Sequence, residues 1–121
     1  MPFHVGLDLG QSADYTALAA VQYVRTRIPE GQAAKGLHLR HLERYPLRTP
    51  YPDIVEKVAA LARDEKLSPT EYDPSRGRYS SRPPSLVVDN TGVGVAVTDL
   101  LKGKRLRFTP VTITGGTRLT R

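Results

Sequence analysis

Leu86, Val87 and Val88 form an uninterrupted apolar run between a proline-rich stretch and Asp89-Asn90-Thr91-Gly92. Such a run predicts a strand buried on both faces, the pattern of a parallel sheet. A parallel pair needs a long crossover, usually a helix, and so restricts the topology of the whole chain. Two segments can supply crossovers. The first starts at Thr49 to Pro52, carries Asp53 and Glu56 in its first turn, and ends near Leu67. Its Ile54, Val55, Val58, Leu61 and Ala62 recur at helical spacing. The second runs from about Val95 to Lys102 and leads into a last strand over Leu106 to Thr114.

The first third of the chain reads differently. His4 to Leu9, Thr16 to Arg25, and Leu37 to Tyr45 read as strands, joined by turns at 10–14 and 29–32. Connections this short fit an antiparallel meander. The predicted fold is therefore α/β: a mixed sheet of three antiparallel strands, then helix-strand-helix-strand, with helices packed on the sheet. Residues 68–84 contain four prolines with Gly77, Ser80 and Ser81, and read as a flexible loop insertion.

A chain of 121 residues fits one domain, taken here as 1–121. No cysteine is present, which removes disulfides and thiolate metal sites and favours a reducing, cytoplasmic setting. The start, MPFHVGLDLG, lacks the charged and apolar regions of a signal peptide, and no run is long enough to cross a membrane. The net charge of +6 suits a polyanionic partner, and equally a merely basic surface.

Asp8 and Asp89 each stand where a strand meets its turn. If those strands are parallel neighbours, both acids emerge at one sheet edge, where ligands of open α/β sheets bind. Adjacent carboxylates repel, and a cation between them resolves the repulsion. Hard oxygen donors suit Mg²⁺ or Mn²⁺, and a two-metal site could act on a phosphodiester. The alternative for each acid is turn formation or helix capping, with Asp89 serving the helix after it. Asp14 has two readings of equal standing, as a third ligand or as a turn residue. Gly92 and Gly94 either admit a phosphate or serve a tight turn.

Lys102, Lys104, Arg105, Arg107, Arg118 and Arg121 come after Asp99 with no acid among them. A basic end beside an acidic metal site suits a nucleic acid backbone; the plain alternative is a solvated face. His4, His38 and His41 lack metal-ligand spacing, and Ser12 lacks a hydrolase setting.

VGLDLGQSADYTALAAVQ resembles the opening of the nuclease domain of tailed-phage terminase large subunits, in which an Asp closes the first strand and another lies in the next turn. RHLERYPLRTPYPDIVEKVAAL is similar to that domain's third strand and first helix. LVVDNTGVGVAVTDLL is similar to its fourth strand, with the second catalytic acid, and PVTITGG to the strand after it. The resemblance implies a ribonuclease H-like fold and metal-dependent cleavage of concatemeric double-stranded DNA during genome packaging. It implies Asp8 and Asp89 as Mg²⁺ or Mn²⁺ ligands, with Asp14 accessory. It also implies a packaging ATPase domain and a portal or small terminase subunit as partners, in the host cytoplasm. The family places a further acid on a helix after the last strand, but no acid comes after Asp99 here, so that helix is expected to be missing. No Walker motif precedes the domain either, which points to a fragment, a trimmed gene or a degenerate remnant. Whether the polypeptide is an enzyme therefore stays open against a non-catalytic DNA-binding or assembly remnant. GLDLGQSADYTAL also resembles the phosphate-binding hairpin of actin-like and sugar-kinase ATPases, but the chain has no room for their second domain.

Overall fold

The computed structural model describes residues 2–11, 13–27, 33–93 and 95–113. The expected turn at 29–32 and residues Ser12, Gly94, Arg118 and Arg121 lie outside the described residues. The elements are β1 (Phe3–Asp8), β2 (Ala17–Arg27), β3 (Ala33–Arg44), α1 (Tyr51–Arg63), β4 (Thr70–Asp73), β5 (Arg78–Ser81), β6 (Ser85–Asp89), α2 (Val95–Gly103) and β7 (Thr109–Val111). The main sheet has the order β3-β2-β1-β6-β7. β1, β2 and β3 pair antiparallel, whereas β6 lies parallel to both β1 and β7. This is the mixed sheet expected from the sequence.

α1 opens on Pro50 and Pro52, whose fixed φ suits a first turn, with Asp53 beside them. It buries Ile54, Val55, Val58 and Ala59, while α2 buries Val97, Thr98 and Leu101. These helices pack on Phe3, Val5 and Leu7 of β1, Leu18 and Ala20 of β2, and Leu86 and Val88 of β6 in one core. α1 ends at Arg63, four residues before the expected Leu67, because Asp64 is extended and the chain turns there.

Both helices therefore cover the same face of the sheet. The expectation that β6 is buried on both faces is corrected: Val88 is fully buried but Val87 is 42% exposed. Gly6, Ala19 and Val87 lie on the open face in adjacent strands. On β3 the open face carries the apolar side chains. The pairing shifts between Ala20↔His41 and Val21↔Leu39, a bulge that inserts Arg40. That extra residue puts Leu42, paired with Ala19, on the same face as Leu37 and Leu39, which explains the broken alternation of this strand. All three leucines are more than half exposed.

The loop expected at 68–84 is corrected to a β4–β5 hairpin with Tyr72 opposite Tyr79, their rings edge-on at 5.1 Å. Of the residues that signalled a loop, Pro74 and Gly77 lie in its turn with Ser75, whereas Ser80 and Ser81 are in β5 and the other prolines flank the hairpin. The Asp73 carboxylate accepts from the Ser75 amide and hydroxyl at 2.9 and 2.6 Å, and Gly77 takes φ +65°.

Candidate acidic site at the ends of β1 and β6

Parallel pairing sets Asp8 directly beside Asp89 in register. The ladder continues one step further, with the Leu9 amide donating to the Asp89 carbonyl at 3.1 Å. Two side chains in register on neighbouring strands share one face, so both carboxylates stand on the open face. They line a shallow groove of about 260 Å³ with Gly6, Ala17, Ala19 and Leu42.

The two loops at this edge are braced. Between β1 and β2, the Gly10 amide donates to Thr16 Oγ1 at 3.0 Å, and the Tyr51 hydroxyl at the start of α1 donates to the Gly10 carbonyl at 2.6 Å. A Cβ on Gly10 would meet the Asp14 carbonyl oxygen at 2.3 Å, so only glycine fits this turn. After β6, the Asn90 amide bonds the Val111 carbonyl at 3.0 Å and the Ile113 amide bonds Thr91 Oγ1 at 2.7 Å, tying the loop to the end of β7. Gln11 Nε2 joins the two loops by donating to the Gly92 carbonyl at 3.1 Å.

The partners of the two acids differ. Asp89 Oδ1 accepts from the Thr91 hydroxyl at 2.6 Å and the Thr91 amide at 3.0 Å. The hydroxyl first, and then the amide, hold the Asp89 carboxyl below its ordinary range. Asp89 thus serves a turn two residues on, and does not cap α2. Asp8 is pushed up, first by burial and then by the negative charges of Asp89 and Asp14. Asp89 is held as an anion, and Asp8 stands in the field of two other acids.

Asp14 is near enough to act on Asp8 but lines a different cleft, with Gly10, Thr16, Arg48 and Tyr51. Its amide closes a turn onto the Gln11 carbonyl at 2.8 Å. Among the described residues no three His, Cys, Asp or Glu side chains gather closely enough to hold a metal ion. The structure thus joins Asp8 to Asp89 and leaves Asp14 outside their groove.

The described basic residues are divided between two places. The β6–α2–β7 crossover returns the chain along the sheet, so the segment after α2 emerges where the parallel strands begin. Arg105 and Arg107 line a cleft with Phe3, His4 and Ser85, at the opposite sheet edge from the acids. Lys104 is ion-paired with Glu56 of α1. Lys102 lies on the α2–β7 flank, in a cleft with Thr98, Pro110 and Asn90, the residue after Asp89. The expectation of a basic end beside the acids is thus corrected for Arg105, which lies across the sheet from them, while Arg107 lines both clefts and Lys102 stays on the flank that reaches Asn90.

Thr91, Gln11 and Tyr51 were missed from the sequence. The only signal available was the Asp-x-Thr spacing at Asp89, which favours a side-chain turn.

No family model matches the chain, and no curated protein matches it. Among solved structures it is similar to the large terminase nuclease from thermophilic phage G20c with bound magnesium, at a TM-score of 0.56 and 21% identity over 96% of this chain. The chain spans about half, 47%, of that nuclease. It is also similar to Thermus thermophilus RuvC, at a TM-score of 0.44 and 17% identity over 91% of this chain and 61% of that one. The likeness to the terminase nuclease shows the fold, which is ribonuclease H-like, with the mixed sheet expected from the sequence.

Proposed function

We propose that this chain is a metal-dependent DNA nuclease domain in which Asp8 and Asp89 hold the divalent cation. The observation that carries this reading is their pairing in register on parallel strands, on an open face. The donor set fits such an ion: both side chains offer hard carboxylate oxygens, and the upward push on Asp8 is in part the crowding of negative charge that a cation relieves. A cation held there supplies charge neutralisation at a phosphodiester and a more acidic water.

The chain's own residues prepare the site. Thr91 fixes Asp89 through Oδ1, leaving Oδ2 without a hydrogen bond among the described residues. Gly6, Ala17 and Ala19 keep the groove floor low, so that a backbone as bulky as a phosphodiester can approach both acids. Asp14 contributes charge from the neighbouring cleft. Cleavage of concatemeric double-stranded DNA during phage genome packaging, in the host cytoplasm with an ATPase domain and a portal or small subunit, is the finer form of the reading. It is supported by the sequence resemblance and by the shared fold.

A second reading, a DNA-binding module without cleavage, is favoured by the lack of a three-ligand cluster among the described residues. Lys102, Arg105 and Arg107, with Lys104 and Arg118, would then carry the binding. Incubating supercoiled plasmid with the chain and Mn²⁺, beside Asp8→Asn, separates the two. Nicking by the wild type and its loss in the variant are expected. Intact plasmid with retained DNA binding would overturn the nuclease reading in favour of the second.

A further inference from the structure

The cleft at the far edge of the sheet has a volume of about 780 Å³. Arginines from three separate parts of the chain converge on it: Arg63 at the end of α1, Arg82 after β5, and Arg105 and Arg107 between α2 and β7. Among the described residues no acid lines it. Arg82 reaches Glu71 at 3.4 Å, and Arg63 Nη2 donates to the Lys104 carbonyl at 2.5 Å. The side chains of Arg105 and Arg107 have no hydrogen-bond or ion-pair partner among the described residues. Four guanidinium groups facing one concavity call for an anion, and planar forks suit the paired oxygens of a phosphate.

A second observation concerns Arg105. It sits at φ +59°, immediately past the end of α2. Its amide bonds the Lys102 carbonyl at 2.9 Å, and the Leu106 amide bonds the Leu101 carbonyl at 3.4 Å. That pair of bonds defines a Schellman ending, whose left-handed position glycine fills without steric conflict. The chain carries a bulky cation there instead. The strained backbone holds that cation at the cleft, where a glycine would have closed the helix and left the cleft less basic.

Val87, on the open face of β6, lines both this cleft and the acid groove. From Ser85 at one end of β6 to Asp89 at the other is about 13 Å at roughly 3.3 Å per residue. That is the axial rise of about four nucleotides along one DNA strand. The volume exceeds the needs of a lone oxyanion, and partly buried Phe108 gives a sugar or base an apolar surface beside the arginines.

We propose that this cleft is an anchoring site for the DNA phosphodiester backbone, remote from the acid pair, with Arg105 and Arg107 as its principal contacts and Arg63 and Arg82 at its walls. The proposal rests on the functional reading above only for the identity of the polyanion. It places a strand engaged at Asp8 and Asp89 across the open face of β6, gripped again where that strand begins.

The test is fluorescence anisotropy with a short labelled DNA duplex in EDTA, where no cleavage occurs, repeated over a range of salt. Arg105→Gly is expected to keep or raise the thermal midpoint while weakening binding, because glycine relieves the backbone as it removes the guanidinium. Arg105→Gly with Arg107→Ala should flatten the slope of log affinity against log salt by about two, one per arginine removed. Arg82→Ala, at an exposed position, checks the same cleft without touching the end of α2 and should also weaken binding. Affinity and salt slope matching the wild type in all three variants would overturn the proposal. Failure of plasmid nicking with the expected binding losses intact would count against the nuclease reading alone.

Discussion

Replacing Thr91 by valine keeps the shape of the side chain and removes one hydroxyl. Thr91 Oγ1 makes the shorter of the two bonds to Asp89 Oδ1, at 2.6 Å against 3.0 Å for the amide. A hydroxyl–carboxylate bond that short is charge-assisted. The same oxygen accepts from the Ile113 amide at 2.7 Å, so the substitution also frees the end of β7. Asp89 then keeps only the amide bond, and its carboxyl rises toward its ordinary value of 3.8. A residue that orients a metal ligand typically accounts for about 10- to 100-fold in metal affinity. Thr91→Val should therefore weaken Mn²⁺ binding by about that factor in titration calorimetry at neutral pH, and Thr91→Ser, which restores the hydroxyl, should recover most of it. The pH dependence has a fixed sign. A folded-state pKa below the unfolded value contributes stability above the unfolded pKa, and this is lost as pH falls through the folded value. The wild type should thus lose more stability than Thr91→Val on acidification below about pH 4, the region of an unperturbed Asp. Equal Mn²⁺ affinity in wild type and Thr91→Val would refute the assignment of Asp89 as a ligand oriented by Thr91.

Tyr45 is 1% exposed and its hydroxyl has no hydrogen-bond partner among the described residues. Tyr45→Phe should stabilise the fold by about 1 kcal/mol in urea denaturation, since an unsatisfied buried hydroxyl is lost; a destabilised variant would show that the hydroxyl has a partner after all. Burial, then Glu43, pushes this phenol up to about 12. Its neutral form thus contributes stability that is complete below about pH 10, the unfolded value, and lost as pH rises toward 12, a loss that Tyr45→Phe should lack. On the open face, the double change Leu39→Lys and Leu42→Lys should cut the fluorescence of a bound hydrophobic dye and alter stability by no more than about 0.5 kcal/mol. Unchanged dye fluorescence would mean that those leucines are not accessible in solution.

The mixed sheet was legible, and with it the condition under which the two acids meet, because each depends on a strong local signal. The apolar run before Asp89 and the short turns of the first third leave few topologies, and parallel pairing of β1 with β6 then brings Asp8 and Asp89 together. The exposure of Val87 was not legible, because an apolar run shows that a strand can be buried on both faces and not that helices cover both. The leucines of β3 were obscured by a bulge, since one inserted residue shifts the phase of a two-residue period. The hairpin at 70–81 was missed because Asp73, Ser75 and Gly77 carry the same signal in a tight turn as in a loop. The position of Arg105 was misread for a different reason: the basic segment after α2 was set beside the acids, whereas the crossover carries Arg105 across the sheet.

The parallel contact between β1 and β6 also sets when the acid pair can exist during folding. Gln11 and Gly92, whose bond joins the two loops of the site, are 81 positions apart in a chain of 121. The meander of β1, β2 and β3 closes through short connections and can form early. Asp89 joins Asp8 only after a loop spanning most of the chain has closed, and closures of that length slow folding. A nascent chain that has not yet released β6 therefore carries half of the site and no means to complete it. Ion binding at the pair would stabilise only chains that have made this last long-range closure, and so would slow unfolding more than it speeds folding.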